Sequence, residues 1–393
     1  MKNKWLMTLA GMSLQLSIGS IYAYSVWIKP LQALNNWDAH QLKLAFSLAI
    51  CFLGLTAAFM GRSVQKIGPV KAGLASALCF GFGLAGAGFA TAIQSLPLFY
   101  LFYGVVSGIG LGFGYITPVS VVVKWFPQKP GFASGLVIMS FAAGSILASQ
   151  IILPLVQWLG VANAFYFLAA GYFIIMTMAA SYLSLPKGTI AVRGKENPKC
   201  ITAGALAKDI RFYGLWLMLF FNTTAGIALI AVAAPMAKDV LHVTEQAAIA
   251  FVGIMGLFNG LGRLAWSSIS DKIGRWKTFT GFFMIGSLSF LLLTQAKSVL
   301  AFEFLVFLII SCYGGAFATM PAFIKDIYGA DQLGGVFGYV LTAWAAAAFA
   351  GPWLISVTGS YNLFFCLFAG FLGFTTLLSF LLKKKLTPVV LHS

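Results

Sequence analysis

Twelve apolar runs, most of them close to the length that crosses a bilayer, dominate this chain. A spanning helix needs about 20 predominantly apolar residues, and such runs occur at 6–28, 45–60, 71–92, 96–123, 132–157, 162–185, 212–236, 246–269, 278–295, 299–323, 333–356 and 360–382. The second is short and begins in "DAHQLKLAF" (Asp38–Phe46), where an amphipathic helix start is expected. Hydrophobic residues make up 60% of the sequence and charged residues only 9%, against about 25% charge in a soluble domain. No water-soluble surface can be assembled at that ratio. In lipid every backbone polar group must be paired internally, so the runs are expected to be helices and the fold an all-α membrane protein with twelve transmembrane helices.

The formal net charge of +16 does not mark a nucleic-acid binder, because the basic residues are confined to short turns between apolar spans. Twenty of them fall on one side: Lys2 and Lys4; Arg62, Lys66 and Lys71; Lys124 and Lys129; Lys187, Arg193, Lys195, Lys199, Lys208 and Arg211; Lys272, Arg275 and Lys277; Lys325; and Lys383, Lys384 and Lys385. Lys29, Lys43, Lys238 and Lys297 face the other side. The positive-inside rule then places both termini in the cytoplasm, the protein being multi-pass in the cytoplasmic (inner) membrane. The opening "MKNKWLMTLAGMSLQL" has the charge and apolar pattern of a signal peptide. Because "SIYAYSVWIKP" extends the apolar stretch and no convincing cleavage site follows, a retained first helix is expected. The cysteines Cys51, Cys79, Cys200, Cys312 and Cys366 are scattered without metal or disulfide spacing, and no cofactor is expected.

Near the middle, "LPKGTIAVRGKENPKCITAGALAKD" is polar and lacks apolar periodicity, as a linker does. The expected organisation is an N-terminal six-helix bundle over 1–185, a cytoplasmic linker over 186–209 and a C-terminal six-helix bundle over 210–393. The halves echo each other. "MGRSVQKIGPVK" matches "SSISDKIGRWK" at a separation of 206 residues, and Pro118, Trp125, Gly131 and Gly135 match Pro321, Tyr328, Gly334 and Gly338 at 203. Weak repeats at a nearly constant offset are the mark of duplicated bundles that rock about a shared site.

The turn "SISDKIGR" sets Asp271, Lys272, Gly274 and Arg275 together between spans 8 and 9. A carboxylate is favoured at the start of the next helix and can pair with basic groups of a neighbouring turn, so this cluster is a candidate gate. Arg62, Gln65 and Lys66 form its first-half copy, in which Gln65 can hydrogen-bond but cannot form the ion pair. The alternative is a basic turn that serves topology alone.

Arg263 is the anomaly. It stands in "GLFNGLGRLAWSS", eight residues before Asp271, hence about 12 Å from that end of the helix. An arginine facing lipid there costs at least a few kcal/mol, so it is expected to face protein or water. Positions 256, 259, 260 and 263 share a helix face, which puts Asn259 and two glycines beside it. Asp38, Glu196, Asp209, Asp271, Asp326 and Asp331 fall in turns, Asp239 and Glu245 flank the outer turn between spans 7 and 8, and Glu303 lies near the outer start of span 10. None is at matching depth. A bound carboxylate would supply the missing partner through a bidentate pair; the other reading has Arg263 snorkel toward the headgroups or bond to helix carbonyls.

"SDKIGRWK" resembles the signature turn of the major facilitator superfamily. "GLGFGYITPVSVVVKWFPQKPGFASGL" (Gly110 to Leu136), "NGLGR", "MPAFIKDIYG" and "VFGYVLTAWAAAAFAGP" resemble, more narrowly, the oxalate/formate antiporter family and the related monocarboxylate transporters. The resemblance runs over essentially all twelve spans. It implies a small carboxylate held between the halves, with Arg263 as the carboxylate-binding arginine and Asn259 as the asparagine one turn earlier. Tyr22, Tyr24, Tyr115 and Tyr313 match the aromatics that line the site. Where the oxalate carrier has a helix-eleven lysine this chain has Trp344, which argues against dianions. Residue spacing also allows Tyr115, behind "GIGLGFGY" and before Pro118, a cavity-lining or a helix-packing role, and Trp27 the role of an interface anchor.

The function expected is secondary transport of a small monocarboxylate of the lactate, pyruvate or formate class by alternating access, through proton symport or anion exchange, in a functional monomer among membrane lipid. The titratable candidates for proton coupling, Glu303 and Asp239, are peripheral. The alternatives are a dicarboxylate (oxalate-like) antiporter and a non-transporting membrane sensor or scaffold. A membrane enzyme is disfavoured because the spans lack clusters of His, Asp and Glu.

Overall fold

A computed structural model describes residues 3–186 and 201–386. It is helical, with twelve helices long and apolar enough to cross a membrane. They are α1 (Lys4–Ala23), α2 (Ala39–Ile67), α3 (Pro69–Ala92), α4 (Leu96–Trp125), α5 (Pro130–Leu159), α6 (Val161–Tyr182), α7 (Ile210–Leu241), α8 (Glu245–Ile273), α9 (Arg275–Leu293), α10 (Val299–Tyr328), α11 (Leu333–Thr358) and α12 (Tyr361–Leu386). All twelve predicted spans are present. The side chains of Arg62 and Gln65, and residues 187–200 of the predicted linker, lie outside what is described.

Local chemistry explains where the helices begin and bend. The polar lead into α2 is a capping box: the Asp38 carboxylate accepts from the His40 backbone N–H at 2.8 Å, and the Gln41 side chain accepts from the Asp38 N–H at 3.0 Å. The first span differs from the continuous helix expected over 6–28. Its α-helical part ends at Gly19, tightens into a 3₁₀ turn over Ser20–Ala23, and resumes over Ser25–Asn35. Hydroxyls compete for the backbone there, Ser17 donating to the Ser13 carbonyl and Ser20 to the Ser17 carbonyl. Pro30 within the following helix removes one more N–H from the ladder. The bend turns Trp27 inward: it is 3% exposed and stacks on Phe165 at 3.9 Å, so it is a packing residue and not the interface anchor expected. Within α4, residues Tyr100–Val106 form a π-helical turn.

The chain forms two compact units. The first comprises Met1–Pro127, Ser140–Cys200 and Asp331–Tyr339, and the second Gln128–Met139, Ile201–Ala330 and Val340–Ser393. Each unit is therefore built mainly from one half of the sequence plus a short piece of the other. The first turns of α5 pack in the second unit, and the start of α11, which is interrupted at Leu341, packs in the first.

Glycines at the repeat positions permit these contacts. In the second unit a Cβ at Gly135 would strike the Arg263 carbonyl and the Ser267 hydroxyl; in the first, a Cβ at Gly338 would strike the Ala57 carbonyl. Ala57 and Arg263 stand 206 residues apart. The same packing device thus recurs in both halves at the offset of the turn motif.

Candidate functional site

In the second unit Arg263 projects from α8 and is 7% exposed. Its Nη1 donates to the Ile138 carbonyl of α5 at 2.9 Å, and its Nε meets the Asn259 Oδ1, one turn earlier, at 3.4 Å. The second contact is long for a hydrogen bond and orients more than it binds. No carboxylate pairs with Arg263 among the described residues. A guanidinium has five N–H donors, so most of this one's capacity is unspent. Every other described cation of this unit stands at or close to a helix end, from Lys129 and Arg211 to Lys325 and Lys383. Arg263 alone sits at mid-helix.

The neighbours of Arg263 are aromatic and polar. Tyr313 of α10 lies within its electrostatic reach and shares a side-chain hydrogen bond with Trp344 of α11. Phe317, one turn after Tyr313, meets Tyr313 edge-on at 5.6 Å and Trp344 edge-on at 5.3 Å. Small residues bring α8 and α10 together: a side chain at Gly262 would collide with the Ser311 backbone, and one at Gly314 with the Asn259 carbonyl. Arg263, Asn259, Tyr313 and Trp344, predicted from three places in the sequence, are thus gathered in one unit. Asn222 of α7, not singled out from sequence, belongs to the same unit and is 5% exposed, with no partner for its Oδ1 among the described residues.

In the first unit, Tyr22 and Tyr115 meet Phe141 edge-on at 5.2 and 5.5 Å. Tyr115 also lies 6.2 Å from Phe337, in the start of α11. Gln15 of α1, fully buried, donates from Nε2 to the Tyr115 carbonyl at 2.9 Å. Tyr24 turns elsewhere: its hydroxyl donates to the Leu42 carbonyl at 2.7 Å and its ring lies 4.8 Å from Tyr103. That hydroxyl is spent on holding the 3₁₀ turn to α2. A void of about 10 Å³ lined by Ser20, Trp27, Tyr103 and Tyr172 has room for about one water and includes none of the predicted binding residues.

The turn cluster is compact. Asp271 accepts from the backbone N–H of Gly131 (Oδ1, 2.9 Å) and of Phe132 (Oδ2, 2.8 Å), the first turn of α5. It also accepts from Arg275 Nη2 at 2.5 Å, while Arg275 Nε donates to Asp326 Oδ2 at 3.0 Å and Nη1 to the Ser270 hydroxyl. The sequence placed this carboxylate near the start of α9; the helix it serves is α5. The physical reason is that α9 is entered through Gly274 at φ +93°, which leads the chain away, whereas the unpaired N–H groups of α5 point at the carboxylate. Lys272 and Lys66 are exposed and take no part among the described contacts. In the first unit Lys124 pairs with Asp331 at 3.0 Å, just before α11.

Comparison with known proteins accords with this architecture. The family profile of the Major Facilitator Superfamily matches residues 8–352 and 215–390. The oxalate:formate antiporter of Oxalobacter formigenes is 26% identical, the match covering 98% of this chain and 93% of that protein. The uncharacterized MFS-type transporter YhjX of Escherichia coli K12 is 24% identical over 86% of this chain and 84% of its own length, and the apicoplast pyruvate carrier 1 of Toxoplasma gondii 24% identical over 79% and 68%. Among solved structures, the E. coli fucose:proton symporter FucP superposes with a TM-score of 0.77 at 14% identity, covering 97% of this chain and 99% of that one. With twelve spanning helices, an internal repeat and a profile match over most of its length, the chain belongs to the major facilitator superfamily of membrane transporters.

Proposed function

We propose that this transporter carries a small monocarboxylate of the lactate, pyruvate or formate class by alternating access, with Arg263 as the carboxylate-binding group. The observation that carries the reading is a buried guanidinium without an acidic partner among the described residues. Leaving a cation buried and uncompensated is costly; a carboxylate that accepts two parallel N–H bonds relieves that cost and fixes the ligand's orientation. One carbonyl contact, to Ile138, holds the guanidinium in place and leaves the other donors for substrate. Asn259 orients Nε, and Tyr313 and Trp344 shape the apolar side. A single mid-helix cation favours one carboxylate over two.

The cluster of Asp271, Arg275 and Asp326 serves as a gate by gripping the first turn of α5. The basic turns orient both termini to the cytoplasm of an inner membrane, with six-helix bundles over 1–185 and 210–393. The protein acts as a monomer in lipid, by proton symport or by exchange.

Uptake of labelled lactate, pyruvate and formate into proteoliposomes tests the reading. Wild-type protein is expected to accumulate at least one of them, Arg263→Ala to abolish uptake, and Arg263→Lys, which keeps charge without the fork, to raise KM about tenfold or more. Unchanged KM in both variants would refute the role of Arg263.

A further inference from the structure

We infer that Gly256 sets the length of the tail the cargo can carry, and that the side chain it lacks admits monocarboxylates longer than three carbons. The inference deepens the proposed function and rests on the assignment of the carboxylate to Arg263. Glycine inside a helix costs stability against alanine, so a glycine at mid-helix asks for a reason. Close packing is the reason at Gly262, whose Cβ would strike the Ser311 backbone, but not at Gly253 or Gly256. Both are exposed, and a Cβ at either would meet no atom within 4 Å among the described residues.

The faces of α8 show where this open space lies. At about 100° per residue, its side chains separate into three sectors. One packs on α10: Phe251 meets Phe307 at 5.4 Å, Gly262 abuts the Ser311 backbone, and Trp266 Nε1 donates to the Ser311 hydroxyl at 3.1 Å. A second presents bulky exposed apolar side chains, Ile254, Leu257 and Leu261, as a face toward lipid does. The third, about 80° wide, holds Arg263, Ser267 and Asp271 toward the basic end of the helix and Gly253, Gly256 and Gly260 toward the other.

The first turns of α5 cover the third sector from Arg263 to Asp271. Ile138 accepts from Arg263, a Cβ at Gly135 would strike the Ser267 hydroxyl, and Asp271 accepts from Gly131 and Phe132. Beyond Arg263 the same sector is bare at Gly256 and Gly253. A helical side chain leans toward the N-terminus of its helix, and the contact of Arg263 Nε with Asn259 Oδ1 shows that lean. The guanidinium is therefore carried toward the turn of Gly256, Asn259 and Gly260, where covered helix gives way to open helix. A carboxylate seated on it sends its remaining atoms along the open side, because α5 closes the other. Gly260 and Gly256 oppose no side chain to that tail. Val252, about 6 Å beyond Gly256 and 38% exposed, is the first bulky residue at the edge of the sector. Any side chain added at Gly256 shortens the run.

The test is a chain-length series in detergent, with dissociation constants for acetate, butyrate and hexanoate. Wild-type protein should bind hexanoate at least as tightly as acetate, since the longer tail covers more apolar surface. In Gly256→Val the ratio of hexanoate to acetate affinity should fall about tenfold or more, the usual effect of a steric block in a binding site. Gly256→Ala, which improves helix propensity and meets no neighbour, should shift the ratio in the same direction by less. Leu257→Val, in the lipid sector, should leave the ratio within about twofold of wild type. A ratio that stays within about twofold in both Gly256 variants would overturn the inference, as would wild-type protein that binds acetate but not hexanoate. Either result leaves the role of Arg263 standing. Failure of all three acids to bind wild-type protein would instead refute the reading on which the inference rests.

Discussion

Asp271→Asn tests the grip on α5 most directly. In the wild-type protein the carboxylate receives three hydrogen bonds: Gly131 N–H at 2.9 Å, Phe132 N–H at 2.8 Å and Arg275 Nη2 at 2.5 Å. An asparagine keeps one acceptor oxygen and presents an NH2 where the other stood. At least one of the two backbone N–H groups then faces a donor, and Arg275 loses its closer anion while retaining Asp326. A hydrogen bond to a charged group is worth about 1.5–3 kcal/mol, and the lost helix-terminus attraction adds about 0.5 kcal/mol. The local stability of the first α5 turn should fall by about 2–3.5 kcal/mol, a factor of roughly 30 to 300 in the opening equilibrium. Residue-resolved hydrogen exchange at Phe132 and the following amides reads this factor directly. Buried amides at the far end of α10, around Phe302 and Val306, about five or more helical turns from Asp326, should keep their rates. Exchange at Phe132 within about threefold of wild type would show that Asp271 does not hold this turn, and the gate role would go with it.

Further outcomes follow from the same geometry. Asn259→Ala, removing a contact of only 3.4 Å to Arg263, should raise the substrate KM a few-fold, less than Arg263→Lys, in the same uptake assay. Gly314→Val forces a side chain into the Asn259 carbonyl and should destabilise by about 2 kcal/mol or more, seen as a lower melting temperature in detergent. For Asp209, burial works against its charge, but the bonds from Arg211 and the Tyr328 hydroxyl outweigh it and hold its carboxyl below the usual range. A depressed carboxylate stabilises above its unfolded value, roughly 3.9, and that contribution fades only as pH falls through the lower folded value. Asp209→Asn, which keeps the cap but loses the ion pair with Arg211, should therefore cost about 0.5–1 kcal/mol equally at pH 7.5 and pH 5, whereas a loss confined to pH 7.5 would contradict the sign.

What the sequence disclosed depended on whether the signal was local. Apolar length alone located all twelve spans, and Asp38 with Gln41 announced the start of α2 because a capping box is written within four residues. Arg263 was visible for the same reason: a cation in a greasy run needs no partner to be conspicuous. Its acceptor was not, since the Ile138 carbonyl is backbone and any residue at 138 would offer it. Trp27 was misjudged because the 3₁₀ turn over Ser20–Ala23 rotates everything after it, and hydroxyl competition for the ladder leaves little trace in apolar periodicity. Asp271 was recognised as important and assigned to the nearer helix; the partner it serves lies 140 residues away in sequence. Asn222 passed unnoticed because an amide in a membrane span is ordinary until its oxygen proves unpaired.

The exchanged helix starts have a bearing on biosynthesis. A membrane protein is made from its N-terminus, and its helices enter the bilayer in that order. When α5 is inserted, the carboxylate that caps its first turn, the arginine that clamps that carboxylate and the α10 carbonyl that receives the Ser134 hydroxyl have not yet been synthesised. The first unit in turn waits for Asp331–Tyr339, and so for ten helices to be translated. Neither half can mature as a finished module while the ribosome is at work. Each is held open until the other supplies its missing segment, which makes the last two helices the step that completes the first bundle as well as the second.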